Sequence, residues 1–134
     1  MSKLSNADKL PTSDAISIHV ITKFVEEQSD PAKERFVFAY TISITNNGDE
    51  PAQLLSRYWK IIDGNEQVHE VEGEGVVGQK PNLAPGEDFT YTSGTAIATP
   101  VGAMEGYYIF EREDGTQFVA PIAPFRLAHS AMIH

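Results

Sequence analysis

Apolar and polar residues alternate along much of the chain, which is the pattern of a β-strand with one buried face. The run is longest over residues 36–45, where a large apolar side chain occupies every second position. The apolar positions of this run are Phe36, Phe38, Tyr40, Ile42 and Ile44. The pattern predicts a strand whose aromatic and branched side chains face the core.

Six other segments show a two-residue period or lie between turn signals, and they predict six more strands. These strands cover residues 16–24, 51–62, 67–72, 88–98, 104–111 and 116–122. The segment 51–62 is apolar on both sides, because one face carries Leu55, Arg57, Trp59 and Ile61 and the other carries Leu54, Ser56, Tyr58 and Lys60. We therefore predict that it lies in the centre of a sheet.

Seven short strands joined by polar turns predict an all-β fold, namely an immunoglobulin-like or fibronectin type III-like antiparallel β-sandwich. A small barrel is the alternative. Residues 1–13 are polar and lack a period, and they are predicted to form a flexible segment before a single domain over residues 14–134. The closing residues 120–133 have a mixed pattern that also allows a turn of helix.

Composition narrows the classes of function. The chain carries 19 acidic and 10 basic residues for a net charge of -9, which disfavours nucleic acid and anionic membranes as partners. It contains no cysteine, which excludes disulfides and thiolate chemistry, and we expect no cofactor. No apolar run is long enough for a secretion signal or a membrane span, so the sequence predicts a soluble cytoplasmic protein.

A G-x-G-x-x-G motif occurs at Gly73, Gly75 and Gly78, with the spacing of a dinucleotide-binding turn. That turn must lead into a helix whose N-terminal amides hold phosphate. Pro81 and Pro85 prevent a helix at this place in the chain. The glycines are therefore predicted to form a loop or bulge that needs positive φ.

A ligand site is the alternative interpretation of the glycine segment. Closely spaced backbone amides at Gly73, Gly75 and Gly78 would form an anion-binding concavity, with Lys80 as a nearby cation. The ligand would be pyrophosphate, a dinucleoside polyphosphate or a divalent metal ion. The acidic residues on both sides of Gly73 disfavour an anion, so the loop without a ligand is the favoured interpretation.

Metal and catalytic sites are the next candidates. Glu70, Glu72 and Glu74 share one strand face, which would hold a weakly bound divalent ion or form a solvated acidic surface. The solvated surface is the favoured interpretation, and the histidines lack zinc or cobalt spacing, so no metal site is predicted. Ser56 and Ser93 have no G-x-S-x-G elbow around them, so we predict no catalytic residue and no enzyme.

Arg57, Tyr58 and Trp59 are three successive residues of the types that dominate interface hot spots. Trp59 is predicted to be a core residue, as a single tryptophan on the third strand of a sandwich usually is. Arg57 shares its strand face, where it would cover the edge of the core with its aliphatic stem or contact a partner. Tyr58 points to the other face and is the better candidate for a partner contact.

Five sequence blocks, in this order, resemble the ApaG family. They are Glu34–Tyr40, Leu54–Trp59, Gly73–Gly78, Leu83–Glu87 and Tyr91–Gly94, and the likeness runs from Ile16 to His134. The resemblance implies a fibronectin-type sandwich and an association with cobalt tolerance and magnesium efflux. It also implies a partner-binding module, since eukaryotic relatives carry this domain within F-box and polymerase-associated proteins.

These observations together predict a non-enzymatic β-sandwich that binds a protein partner of unknown identity. It would use the loops at one end or an exposed strand edge as a template for an added strand. Exposed edges would also permit a homodimer. The alternative function is binding of pyrophosphate, a dinucleoside polyphosphate or a divalent metal ion through the glycine segment.

Overall fold

Period-two segments of the sequence fold into two antiparallel sheets in the computed structural model, which describes residues 9–129. The eight strands are β1 (Ile16–Phe24), β2 (Phe36–Asn46), β3 (Ala52–Asp63), β4 (Val68–Glu74), β5 (Asn82–Leu83), β6 (Asp88–Ile97), β7 (Val101–Arg112) and β8 (Gln117–Ala128). One sheet has the order β1-β2-β6 and the other has the order β4-β3-β7-β8, with β5 paired to β3. The all-β sandwich predicted from the sequence is confirmed. The two-residue strand β5 lies in a segment predicted to be loop.

The core lies between the two sheets and is built from alternate residues of each strand. The inward face of β2 has the composition predicted for it, since Phe38, Ile42 and Ile44 are fully buried. Tyr108 and Phe110 of β7 meet them from the other sheet. Burial of side chains of this size stabilises the fold by roughly 1.5 to 3 kcal/mol for each residue.

Trp59 connects the two sheets through a cluster of aromatic rings. Its ring centroid lies 5.5 Å from that of Tyr40 on β2 and 5.8 Å from that of Phe125 on β8. A third edge-on contact joins it to Tyr108, at 6.3 Å. Edge-to-face geometry is favoured by the ring quadrupoles. The prediction that Trp59 is a core residue is confirmed.

The predicted faces of β3 are wrong at its first half. Leu54 pairs with Phe110 whereas Ser56 pairs with Ile109, so Leu55 is an extra residue at a β-bulge. Leu54 is therefore turned into the core, where it is fully buried, and shares the inward face with Trp59. Simple parity placed Leu55 there, because a bulge changes the phase of a strand without changing its composition.

The last strand is longer than the sequence pattern predicts. The predicted strand ended at residue 122, but β8 continues through Ala128 and buries Leu127 completely. The alternative of a helical turn is wrong as far as residue 128, and residues 130–134 lie outside the described part of the chain. Pairing with β7, which sets Val101 opposite Ala128, outweighs the local mixture of residue types here.

The segment before β1 lies against the outer edge of β8. Ser13 donates its backbone N–H to the carbonyl oxygen of Val119 at 3.0 Å, and Val119 donates to that of Pro11 at 2.8 Å. Leu10 packs against Ile109 and Val119 on the outer face of the sheet. The predicted flexible segment 1–13 thus includes residues bonded to the domain, and residues 1–8 lie outside the described range. Within residues 9–129 there is no helix with the length and apolar character to cross a membrane.

Tyr91 of β6 and Tyr108 of β7 join their hydroxyl groups by a buried hydrogen bond of 2.5 Å. Burial raises the pKa of Tyr91 to about 12, an effect that the hydrogen bond from Tyr108 partly offsets. Burial raises the pKa of Tyr108 further, and the neighbouring Tyr91 adds to the shift. Both hydroxyl groups therefore keep their protons in the folded protein well above the ordinary tyrosine range.

Stability is expected to fall as the pH rises from about 10 to about 12, because unfolded tyrosine loses its proton at a pH where Tyr91 and Tyr108 still hold theirs. The two tyrosines stabilise the folded state fully at a pH below the pKa of tyrosine in the unfolded chain. This stabilisation is lost as the pH rises through their pKa values in the folded protein. Tyr91 alone accounts for about 2 kcal/mol over this range. Urea unfolding over this pH range should show a shallower decline for the double variant Tyr91→Phe/Tyr108→Phe. An equal decline in both proteins would contradict the raised pKa values.

Candidate functional site

The glycine segment is a tight hairpin that follows the end of β4. Val76 and Gln79 exchange two backbone hydrogen bonds, of 2.8 and 2.9 Å. Between them Val77 and Gly78 both have positive φ, of 43° and 79°. Two central residues in the left-handed region define a type I′ turn, the usual connection of a two-residue hairpin. The prediction that this motif forms a loop rather than the start of a helix is confirmed.

Gly75 lies close to backbone and Gly73 lies close to a side chain. Gly75 has a φ of 62°, and a Cβ atom there would lie 2.4 Å from the carbonyl oxygen of Gln79. A Cβ atom at Gly73 would lie 2.8 Å from Nη1 of Arg57, whose guanidinium covers that position. Gly75 and Gly78 therefore have a structural reason that involves no phosphate, since both have positive φ.

Val77 is the strained residue of this hairpin, because a β-branched side chain rarely adopts positive φ. Val77→Asn is expected to raise the free energy of unfolding by about 1 kcal/mol, since Asn followed by Gly is the preferred pair for a type I′ turn. Thermal unfolding would measure the gain, with Val77→Ala as the control that removes the branch alone. Equal or lower stability for Val77→Asn would contradict the assigned turn.

Gly75 provides one of the amides proposed for an anion site, and that amide already has a protein partner. Gly75 donates to the carbonyl oxygen of Leu55 at 2.8 Å, while the N–H groups of Val76 and Gln79 are used within the turn. The side chain of Val76 is fully buried and anchors the hairpin in the core. The ligand site of Gly73, Gly75, Gly78 and Lys80 stays a prediction.

Lys80 lies beside the hairpin and pairs with an acidic residue of β4. Its Nζ atom is 2.5 Å from Oε1 of Glu74, and both side chains are well exposed to solvent. An exposed pair of this kind contributes little stability. The pair does, however, offset the positive charge that the predicted anion site would require.

Arg57 joins β3 to the glycine hairpin. Its Nη1 atom donates hydrogen bonds to the carbonyl oxygens of Gly75, at 2.9 Å, and Glu74, at 3.1 Å. The side chain is half-buried on the inward face. There its positive charge slightly offsets the raised pKa of Tyr91 and of Tyr108. These bonds give Arg57 a structural role at the edge of the core. Its predicted contact with a partner is not tested by them.

Tyr58 lies on the outward face of β3, opposite to Trp59, but neighbouring side chains cover it. Its ring stacks on Tyr107 with centroids 5.0 Å apart, and 8% of the residue is exposed. The hydroxyl donates to Oε2 of Glu70 at 2.6 Å. Burial raises the pKa of Tyr58, and the hydrogen bond to the Glu70 carboxylate raises it further. The partner contact predicted for Tyr58 stays a prediction, with Glu70 and Tyr107 beside it on the same face.

The three carboxylates of β4 have different surroundings. Glu70 accepts the hydrogen bond from Tyr58, Glu74 pairs with Lys80, and Glu72 lies exposed between them. No group of three or more His, Cys, Asp or Glu side chains arranged to hold a metal ion occurs in the described residues. The geometry is that of an acidic surface on the edge of the sheet.

Sequence reasoning predicted an exposed strand edge without saying which strand provides it, and the outer edge of β4 is one such edge in the structure. Within the described residues this strand pairs with β3 alone. Every residue of β4 except Gly73 is exposed, including Val68 at 49% and Val71 at 39%. The mixture of valine and glutamate over residues 68–74 was the available signal, but the strand order decides that this edge is free.

The sequence is similar to known bacterial proteins along almost its whole length. The pattern that defines the ApaG domain matches residues 26–112. The chain is 53% identical over 119 residues to Protein ApaG of Pseudomonas putida, covering 89% of this chain and 94% of that protein. It is 49% identical over 131 residues to Protein ApaG of Bordetella pertussis, covering 98% of this chain and 100% of that protein.

Two solved structures are similar in fold and sequence. A crystal structure of an ApaA protein from Bordetella pertussis has a TM-score of 0.83 at 52% identity, covering 89% of this chain and 96% of that one. The X-ray structure of a structural genomics target has a TM-score of 0.86 at 41% identity, covering 91% of this chain and 92% of that one. The two-sheet arrangement is thus shared with solved structures.

Proposed function

Because the chain belongs to the ApaG family, as the domain match and the relatives at about half identity show, we propose that it is a non-enzymatic protein-binding module. The module would act in the cytoplasm by recruiting a protein partner. The family's association with cobalt tolerance and magnesium efflux would then be indirect, through what the partner does. This function accounts for a domain in which an entire strand edge is presented to solvent.

The open edge of β4 is the observation that carries the proposal. An edge strand with unpaired backbone groups is a ready template for another chain, and folded domains usually protect such edges. The exposed side chains of Val68 and Val71 add apolar surface on both sides of the strand. Adding a strand to an open edge is one of the common modes of peptide recognition.

The residues that could have carried other chemistry are used to hold the fold. Arg57 bonds to the carbonyl oxygens at the end of β4, and Lys80 pairs with Glu74. The amide of Gly75 is bonded to Leu55. The backbone bonds made by Arg57 and Gly75 stabilise β4 and the hairpin beside it, which supports a role in presenting the strand.

Affinity capture at native abundance tests the proposed function, using the full chain as bait and an unrelated fibronectin-type domain as the matched control. We expect at least one protein to be enriched on the full chain alone and to form a binary complex with it when both are purified. Calorimetry on the purified pair would measure the affinity. Recovery of the same proteins on both baits would overturn the proposal.

A further inference from the structure

At alternate residues of β4, the backbone N–H and C=O groups point away from β3. At one end Asp63 donates its N–H to the carbonyl oxygen of Gln67, and at the other Gly75 donates to that of Leu55. The register between these bonds is uniform, from Ile62 opposite Val68 to Ser56 opposite Glu74. Hydrogen-bonded pairs recur at every second residue of an antiparallel ladder. The odd-numbered residues of β4 therefore bond to β3, while Val68, Glu70 and Glu72 direct their N–H and C=O groups away from the sheet.

The open edge of β4 carries glutamates but lacks the other features that usually prevent strand addition. Its sequence over residues 68–74 contains no proline and no lysine, and its pairing with β3 has no bulge. The edge of β8 is different, because residues 11–13 bond along it and Pro121 and Pro124 interrupt it. Proline, lysine and covering segments are the usual protection of sheet edges. In comparison with β8, β4 remains available to an added strand, as do the edge strands β1 and β6 of the other sheet.

The charges on β4 determine which side chains an added strand should carry. The side chains of Glu70 and Glu72 lie on the outward face, since Glu70 accepts the hydroxyl of Tyr58 and Glu72 pairs with Tyr58 across the strands. Glu66 is a third acidic residue, and it lies on the exposed turn that precedes β4. Opposite charges on neighbouring strands are favourable, whereas like charges are unfavourable. On the inward face Val71 is exposed and would contact an apolar residue.

A second copy of the chain is a poor match for this edge. If two copies of β4 paired antiparallel about Val71, Glu70 of each copy would lie opposite Glu72 of the other. That arrangement is destabilised by repulsion between like charges. The chain's net charge of -9 adds to the repulsion between copies and attracts a basic segment.

We propose that the open edge of β4 binds an extended basic segment of a partner protein as an added strand. Lysine or arginine side chains of that segment would lie beside Glu70 and Glu72, and apolar side chains at the alternate positions would lie beside Val71. This inference rests on the proposed function and specifies the partner's chemistry. The N–H and C=O groups of Val68, Glu70 and Glu72 would provide the backbone hydrogen bonds.

A short peptide of alternating lysine and valine is the probe, with a peptide of alternating glutamate and valine as its control. Fluorescence anisotropy should show binding of the basic peptide only, weakening as salt is added. Hydrogen exchange should show protection of the amides of Val68, Glu70 and Glu72 when the basic peptide is bound. Equal binding of both peptides, or protection elsewhere in the domain, would overturn the inference.

Two variants of Glu72 test this edge, since both remove its carboxylate and only Glu72→Pro also removes a backbone donor. Glu72→Pro removes an outward N–H without removing a bond to β3, and should weaken peptide binding by about tenfold. Glu72→Lys should weaken it by a similar factor through repulsion. Glu113→Lys is the matched control, because it makes the same charge change at an exposed turn away from β4 and should leave affinity nearly unchanged. If all three variants bind alike, the inference is wrong.

The two proposals fail in different ways. A captured partner that binds Glu72→Pro and Glu72→Lys as tightly as the unmodified chain would leave the module in place and refute the β4 edge as its site. Basic-peptide binding at β4 with no captured partner would support the edge and refute the proposed function. A dimer in sedimentation that is lost in Glu72→Pro would identify a second copy as the occupant and overturn the basic segment.

Discussion

Gly75→Ala is expected to lower the free energy of unfolding by about 2 to 4 kcal/mol. The new Cβ atom would lie 2.4 Å from the carbonyl oxygen of Gln79, and the residue would have to keep a φ of 62°. Relief requires the hairpin to open, which would draw the buried side chain of Val76 from the core. Urea unfolding followed by far-ultraviolet circular dichroism would measure the loss.

Gly78→Ala is the control for this result, because Gly78 has a similar φ of 79° but no atom within 4 Å of the position of a Cβ. It should cost about 1 kcal/mol, for the backbone conformation alone. The difference between the two variants isolates the close contact at Gly75. If both variants are destabilised equally and by less than 1 kcal/mol, the hairpin does not hold the fold as described.

Trp59→Ala is expected to be at least as severe, with a loss of about 3 to 5 kcal/mol. The indole ring is 2% exposed and contacts Tyr40 on one sheet and Phe125 on its own, so its removal leaves a cavity across the interface between the sheets. A loss of that size is a large part of the stability of an ordinary domain. Thermal and urea unfolding of the purified variant would measure it.

Trp59→Phe provides the comparison, since it keeps an aromatic ring and removes only part of the volume. We expect less than half of the loss seen for Trp59→Ala. Circular dichroism is the common readout, because Trp59 is the sole tryptophan of the chain and fluorescence is lost in both variants. A loss below about 1 kcal/mol for Trp59→Ala would show that the two sheets do not pack through this ring.

The strands were predictable where one face is uniformly apolar. In β2 every second residue from Phe36 to Ile44 is large and apolar, and from Phe38 onward the same residues are buried. The sequence pattern alone therefore predicts both the strand and its buried face. The phase of β3 was not predictable, because the bulge at Leu55 arises from pairing with β7 and leaves no mark in composition. The extension of β8 to Ala128 likewise depends on its long pairing with β7.

The site was predictable only in part. Pro81 and Pro85 were enough to exclude a dinucleotide-binding helix after the glycines, but the turn type was not, because a valine seldom adopts the φ of Val77. The partial cover over Tyr58 depends on stacking with Tyr107, which is 49 positions later in the sequence and becomes a neighbour only through strand pairing. The openness of β4 depends on strand order, which local patterns do not contain.

Amide-resolved NMR during titration with inorganic pyrophosphate is the most direct test of whether the glycine segment is a structural hairpin or a phosphate site. Because the amides of Gly75, Val76 and Gln79 are bonded within the protein, we expect their signals to stay in place at millimolar pyrophosphate. Saturable shifts centred on Gly75 to Gln79, with Lys80 responding together, would contradict the hairpin interpretation and identify a binding site for phosphate.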